Sequence, residues 1–446
     1  MNRFILAFFL LCLLNLTLVF GQTFSKVGCV QPYEALSLDT MEGQLMYMRG
    51  GDYICGDSIV GIMLWDDSVW KQFGNYSFDK CAGFLKDVIY YKNELYAAGS
   101  FCINRQPDLL RGIVKWSNNE WDSVGGGLTG TIQSAINCMA VFQGELYVAG
   151  KFTEIDGKPA KNIAKWDGQK WTVIPGVQSD FTSVNAMVVY KDELYVAGHF
   201  WYAGTQPAAF IARWTGSSWK VLQNGVNNVV TSMVVDSVDN MLYVAGYFGV
   251  IDNQYSGMIA RWDGDAWHPV GEGNFFSNSL VNSLAMYNGY LFAGLLNPLN
   301  NNSDSVLSRW DGKKWEPVIG PNEGVTHLAT YKDKLYIAGF FTKIGNDSIS
   351  YLASYYDTSS TIITTGIDGK NYNRKELKLY PNPSSELLKI DSKVKLNKIE
   401  IYSIEGKRIQ VLPGVDSIDI SSLDKGIYVL KAFDGNKWFV DRFYKY

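Results

Sequence analysis

Apolar and polar positions alternate with a period of two over short runs through most of the chain. Residues 184–190 read VNAMVVY, 193–200 ELYVAGHF, 210–214 FIARW and 219–222 WKVL. Each run has the length of one strand. Between them lie Lys191-Asp192, a variable loop, and Thr215-Gly216-Ser217-Ser218, all rich in turn-forming residues. Helical periodicity is absent from this stretch. The pattern predicts four short antiparallel strands in succession.

The quartet recurs. LYAAG stands at 95–99, LYVAG at 146–150, 194–198 and 242–246, LFAG at 291–294 and LYIAG at 335–339, with a weaker copy, MYMRG, ending at Gly50. The terminal glycines fall at 50, 99, 150, 198, 246, 294 and 339. A second phrase, W-x4-W, occurs at Trp65/Trp70, Trp116/Trp121, Trp166/Trp171, Trp214/Trp219, Trp262/Trp267 and Trp310/Trp315. The intervening residues, typically Asp-Gly-x-x, predict a hairpin turn in which Gly takes the positive φ. The paired indoles then face each other across the hairpin, as packing between units rather than as a sugar platform. Four strands in a repeat of ~48 residues is the spacing of a propeller blade. The reading is therefore all-β, with a seven-bladed β-propeller over residues 22–357.

The seventh unit lacks a partner for its fourth strand. Phe24-Ser25-Lys26-Val27-Gly28 matches Trp121-Asp122-Ser123-Val124-Gly125. Residues 23–28 are thus expected to supply the outer strand of the last blade and hide an open edge. The alternative donor is Thr361–Thr365. In the same register Cys29 and Cys81 each follow a fourth strand, and Cys55 and Cys102 each follow a second. Disulfides Cys29–Cys55 and Cys81–Cys102 fit this placement and leave Cys138 over, although spacing alone leaves other pairings open.

Composition adds the compartment. Met1–Arg3 gives a positive start, Phe4–Phe20 is almost continuously apolar, and Val19-Phe20-Gly21 suits cleavage before Gln22. Residues 1–21 read as a secretory signal peptide, too short and too poorly flanked for a membrane span. Export permits the disulfides. A net charge of −4 over 446 residues excludes a strongly basic nucleic-acid binder.

Candidate chemistry is sparse. His199, His268 and His327 are isolated, and no zinc spacing, nucleophile elbow or carboxylate dyad stands out. No catalytic residue, metal or cofactor is expected. The loops joining strand two to strand three, and unit to unit, share one face and vary most. They would display Trp201, Tyr202, Tyr255, Phe275 and Phe276. Trp201 is the one propeller tryptophan outside the repeat. Such aromatics suit a glycan or protein ligand, and the alternative is packing on neighbouring loops. A second reading is a polysaccharide hydrolase or lyase using loop carboxylates such as Asp108, Glu154, Asp156, Asp180, Asp252, Asp304 and Asp347.

After Asp357 the pattern changes. Residues 358–374 are polar and read as a linker. Residues 375–446 alternate again and predict a small β-sandwich of Ig-like type. Residues 23–357, with units ending in A-R-W-D-G-x-x-W, resemble kelch-like propeller repeats, which implies the fold and leaves the ligand open. The C-terminal unit resembles the sorting domain of type IX secretion cargo of Bacteroidetes-type bacteria. The matching residues are Tyr380-Pro381-Asn382-Pro383, Tyr402 through Gly406, Gly426-Ile427-Tyr428 and the basic-aromatic terminal strand. That resemblance implies two partners, an outer-membrane translocon and a sortase-like peptidase, and a secreted or surface-displayed, monomeric product.

Overall fold

The computed structural model describes residues 22–445, except 28–29, 32–36, 42–43, 55–56, 66–69, 75–79, 106–107, 132–133, 180, 272–278, 297–305, 319, 333, 358–376, 381–383, 385, 393, 404–407, 425 and 436–437. The expected signal peptide, the linker and the alternative strand at Thr361–Thr365 lie outside the described residues. Every regular element among the described residues is a strand.

From Gln22 to Asp357, the described residues form six four-stranded antiparallel sheets and one five-stranded sheet. The fourth unit follows its sequence pattern. Ser183–Tyr190, Glu193–His199, Ile211–Trp214 and Trp219–Val221 pair in that order. The last sheet takes its outer strand from the start of the chain: Gln22–Lys26 pairs antiparallel with Leu352–Asp357, with Phe24 opposite Tyr355. The alignment of Phe24–Gly28 with Trp121–Gly125 predicts this pairing.

Adjacent sheets touch through their first strands. Ser37–Met41 meets Lys80–Tyr91, which meets Ala135–Phe142, and the series continues through Ser183–Tyr190, Val230–Asp236, Leu280–Tyr287 and Val325–Tyr331. Val325–Tyr331 then meets Ser37–Met41, so the succession is cyclic. The apolar core lies between the sheets. One cluster joins Phe142, Tyr147 and Ala149 of the third unit to Phe200, Trp214 and Trp219 of the fourth.

The repeated residues explain how the units lock. Asp167, Asp263 and Asp311 each accept two backbone N–H bonds within their W-D-G turns, as from Lys313 at 2.7 Å and Lys314 at 2.8 Å. Gly168, Gly264 and Gly312 hold φ of 102°, 105° and 92° there, which L side chains rarely adopt. On the first strands a bulge frees polar groups, and side chains bridge to the next unit. Asn137 Nδ2 donates to Val184 O at 2.8 Å, Asn185 Nδ2 to Val230 O at 2.9 Å and Asn282 Nδ2 to Thr326 O at 2.6 Å.

The C-terminal unit has two sheets. Leu377–Tyr380, Leu387–Ser392 and Ser417–Asp419 form one. Arg408–Pro413, Lys398–Ser403, Gly426–Phe433 and Trp438–Lys445 form the other. Leu379, Leu388, Ile390, Ile399, Ile401, Leu430 and Phe439 share the core between them. No described helix is long and apolar enough to cross a membrane.

Cys102 is disulfide-bonded and Cys138 is free and buried. Burial pushes the Cys138 thiol well up and leaves it inert. Cys81 and Cys102 do not follow strands as expected: Cys81 lies within Lys80–Tyr91, opposite Phe101, and Cys102 within Glu94–Arg105, opposite Lys80, because both strands extend past the repeated phrase. Cys29 and Cys55 lie outside the described residues.

Candidate ligand-binding face

Between strands two and three of several units the chain makes a small secondary hairpin. Glu154–Ile155 pairs with Lys158–Pro159, Tyr202–Ala203 with Gln206–Pro207, and Val250–Ile251 with Gln254–Tyr255. Each hairpin also bridges to the segment that follows the fourth strand of the preceding unit. The bridges are Leu128 to Ile155, Val177 to Ala203, Val226 to Ile251 and Pro321 to Ile344. These hairpins line up around one rim, and their backbones are held on both sides.

Three of the candidate loop carboxylates, Glu154, Asp156 and Asp252, are engaged in holding this rim. Asp156 Oδ1 accepts the Gly126 N–H at 2.8 Å and Oδ2 accepts Lys158 Nζ at 3.0 Å. The Gly126 bond and then the Lys158 bond hold its carboxyl below the usual range. Asp252 accepts Asn224 Nδ2 at 2.6 Å, and Glu154 accepts the Thr129 hydroxyl at 2.6 Å. Asp180 and Asp304 lie outside the described residues. Among the described residues no group of three or more His, Cys, Asp and Glu is placed to hold a metal ion.

The aromatic candidates divide. Trp201 is 48 % exposed, Tyr202 45 % and Tyr255 58 %, whereas Trp166, Trp171, Trp214, Trp219 and Trp262 of the repeat are buried. Trp201 and Tyr202 share one hairpin, and Tyr255 occupies the equivalent hairpin one unit on. The Trp201 backbone is fixed on both sides: its N–H donates to Gln178 O at 3.1 Å and its carbonyl accepts the Ala208 N–H at 2.7 Å. Backbone anchorage with a projecting indole gives a rigid aromatic surface, which costs little conformational entropy on binding. Polar groups flank it, since Lys161 Nζ donates to Gln178 Oε1 at 2.9 Å and Gln178 Nε2 donates to Gly204 O at 3.2 Å. Phe275 and Phe276 lie outside the described residues.

The structure adds Phe181, 78 % exposed in the turn after Gln178, the residue paired with Tyr202. Its sequence signal is an aromatic residue between polar neighbours in a unit-to-unit segment, SDFTS, where no strand needs it.

Each of the three histidines has a neighbouring side chain within the protein. His199 stacks on Phe210, with centroids 5.9 Å apart, and His268 Nε2 lies 2.7 Å from Asp263 Oδ2. His327 is held down to about 4 by burial, with a smaller contribution from Lys86.

In the C-terminal unit Tyr380 is exposed, and Tyr428 is buried, stacked on Phe443 at 5.4 Å with its hydroxyl donating to Asp424 O at 3.0 Å. Gly426 pairs with Lys445. Pro381, Asn382, Pro383 and Gly406 lie outside the described residues.

Residues 378–445 match the family profile described as the secretion system C-terminal sorting domain. A search of curated protein sequences finds no match. Among solved structures, the extracellular domain of a hybrid two-component system from B. thetaiotaomicron is similar at 12 % identity and a TM-score of 0.47, covering 96 % of this chain and 59 % of that one. A computationally designed protein, Ika8, is similar at 13 % identity and a TM-score of 0.43, covering 95 % of this chain and all (100 %) of that one. The β-propeller domain of a protease from Pyrococcus furiosus is similar at 10 % identity and a TM-score of 0.42, covering 74 % of this chain and 97 % of that one. This chain therefore spans less than two thirds of the B. thetaiotaomicron chain's length.

Proposed function

We propose that this chain, cargo bearing a type IX sorting domain, is an extracellular binding module. Its seven cyclically arranged sheets are the blades of a propeller, and its two-sheet C-terminal unit is an Ig-like sandwich read by the secretion machinery. Residues 1–21 serve as the signal peptide and 358–374 as the linker. An outer-membrane translocon and a sortase-like peptidase are the export partners, and the product is monomeric and displayed outside the cell.

The observation that carries the binding assignment is Trp201. Every described tryptophan of the third to sixth units belongs to W-x4-W except this one, and it projects from a backbone anchored on both sides. Tyr202 and Tyr255 extend the exposed surface along the rim. An amphipathic ledge with amide and ammonium groups beside it fits the apolar face and hydroxyl edge of a sugar ring. Glu154, Asp156 and Asp252 are bonded to the preceding unit's segments, which lends a hydrolase at these three no support.

The test is a glycan-array screen of the chain beside its Trp201→Ala and Tyr202→Ala variants. Circular dichroism and thermal unfolding serve as folding controls. Binding lost in a folded Trp201→Ala variant supports the reading. Binding that survives both substitutions, or no binding to any glycan or envelope extract, overturns it.

A further inference from the structure

The β-turn that joins the first and second strands of a unit is two residues long in most units: Gln143-Gly144, Lys191-Asp192 and Asn288-Gly289. In the fifth unit Asp236 pairs with Met241, so four residues, Ser237 to Asn240, make the turn. Its geometry is fixed from within. Asp236 Oδ1 accepts the Val238 N–H at 2.8 Å and the Asp239 N–H at 3.2 Å. Asp236 is nonetheless buried, which a carboxylate at the tip of an exposed hairpin would not be.

What lies against this turn is the C-terminal unit. Lys431 Nζ donates to the carbonyl of Val238, 193 positions away in sequence. The ammonium also faces the carboxylates of Asp236 and Asp239. Strand alternation places Lys431 on the outer face of its sheet, because Leu430 and Ala432 point into the sandwich core. Its cross-strand partner is Glu400, and Val429 pairs with Tyr402 on the same face. In a sandwich standing alone this face meets water. Here Val429 is 1 % exposed, and Glu400, which Lys398 and the Tyr402 hydroxyl of its own sheet also cover, is 6 % exposed.

We propose that the enlarged turn of the fifth unit is a docking site for the sorting domain, which it engages through Lys431 on the outer sheet face. Charge complementarity supports it: the turn offers two carboxylates and a carbonyl, and the sheet offers the Lys431 ammonium. Burial pushes the Asp236 carboxyl up and the Lys431 ammonium down, and each is opposed by the other's charge. Such a pair persists when both partners stay together and is costly when one is left alone. The docked state holds the sorting domain against the propeller, and capture by the export machinery has to compete with that contact.

The test uses the full chain. A zero-length carbodiimide joins carboxylates to amines in contact, and mass spectrometry then looks for a link between Lys431 and Asp236 or Asp239. Small-angle scattering is compared for the wild type, Lys431→Glu, Asp236→Asn and Lys389→Glu. Lys389 is exposed on the other sheet and controls for charge. The expected result is the cross-link in the wild type and a compact profile that becomes extended in Lys431→Glu but not in Lys389→Glu. Asp236→Asn keeps an acceptor for the turn and loses the charge, so it reads the contact even where Lys431→Glu disturbs the sandwich. Absence of the cross-link, or identical profiles for all four proteins, overturns the proposal.

Discussion

Trp219 in the fourth unit donates its indole N–H to the carbonyl of Pro175 in the third, at 2.5 Å. The bond recurs at the second tryptophan of other units. Trp171 donates to Val124 O at 2.8 Å, Trp267 to Leu222 O at 3.2 Å and Trp315 to Val270 O at 3.0 Å. Trp70 reaches Val27 O at 3.4 Å and so joins the first unit to the strand that completes the last. The acceptors all follow a fourth strand. The W-x4-W phrase is therefore a bolt between units as well as an aromatic pair, whose rings are 5.1 Å apart at Trp214 and Trp219.

Replacing Trp171 by Phe keeps most of the packing and removes the donor. The Val124 carbonyl then loses the indole and keeps the Gly127 N–H at 3.2 Å. The expected loss is about 0.5–1.5 kcal/mol, measured as a fall in the denaturant midpoint with an unchanged slope. A change below about 0.3 kcal/mol, within the ordinary scatter of surface substitutions, would show that the bond carries no net stability.

Phe24 fills the second-tryptophan position in the unit completed by the N-terminal strand. Its ring lies 5.0 Å from that of Tyr355. A Cβ added at Gly320 of the preceding unit would come within 2.8 Å of it, the distance at which one at Gly271 would meet Trp315. Phe24→Ala is expected to destabilise the protein by about 2–3 kcal/mol. Removing residues 22–26 also bares the edge of Leu352–Asp357, so self-association is expected as well. Unfolding curves and light scattering check both. A truncated chain that stays monomeric and equally stable would mean the sheet does not need this strand.

The four-strand pattern of six sheets, the unit spacing and the closing strand were legible because they depend on period-two alternation and a repeated phrase; the fifth strand of the first sheet, Val30–Gln31, was not. Phe24 could be aligned with Trp121 since the repeat supplies the register. The secondary hairpins were not legible. Tyr202–Ala203 and Val250–Ile251 are two residues each, too short for alternation to register, and their bridges to Val177 and Val226 depend on a neighbouring unit. The position of Phe181 is hidden for the same reason: nothing in SDFTS reveals that it follows the segment paired with Tyr202. The contact of Lys431 with the Val238 carbonyl was hidden as well, because alternation alone assigns Lys431 to a solvated face.

The terminal glycine of the LYxAG phrase permits a close approach rather than a special dihedral. A Cβ at Gly198 would lie 2.2 Å from Ser183 O and 2.9 Å from Asn185 N, both backbone atoms at the first-strand bulge. Gly198→Ala must therefore push two strands apart, at an expected cost of about 3 kcal/mol or more. Gly157 has a φ of 68° and open space around it, so Gly157→Ala is expected to cost only about 1 kcal/mol of backbone strain. Thermal unfolding of the two variants side by side gives the order. The reverse order would refute the close-approach explanation.

His327 gives stability a pH dependence of known sign. It sits on the first strand of the last unit with its Nδ1 3.1 Å from the Thr326 hydroxyl, and burial, then Lys86, depress it from 6.5 to about 4. The folded protein keeps the ring neutral where the unfolded chain has already protonated it. Between pH 6.5 and about 4 the unfolded state therefore binds more protons, and stability falls as pH drops. Above pH 6.5 this contribution is fully present and flat. Its slope is about 1.4 kcal/mol per pH unit in the middle of that window. His327→Gln keeps a polar side chain and cannot titrate. Denaturation of both proteins from pH 7.5 to 5 should give curves that are parallel above pH 6.5 and converge below it, as the wild type loses stability that the variant keeps. Curves that remain parallel to pH 5 would place the His327 ring in water, with no burial to depress it.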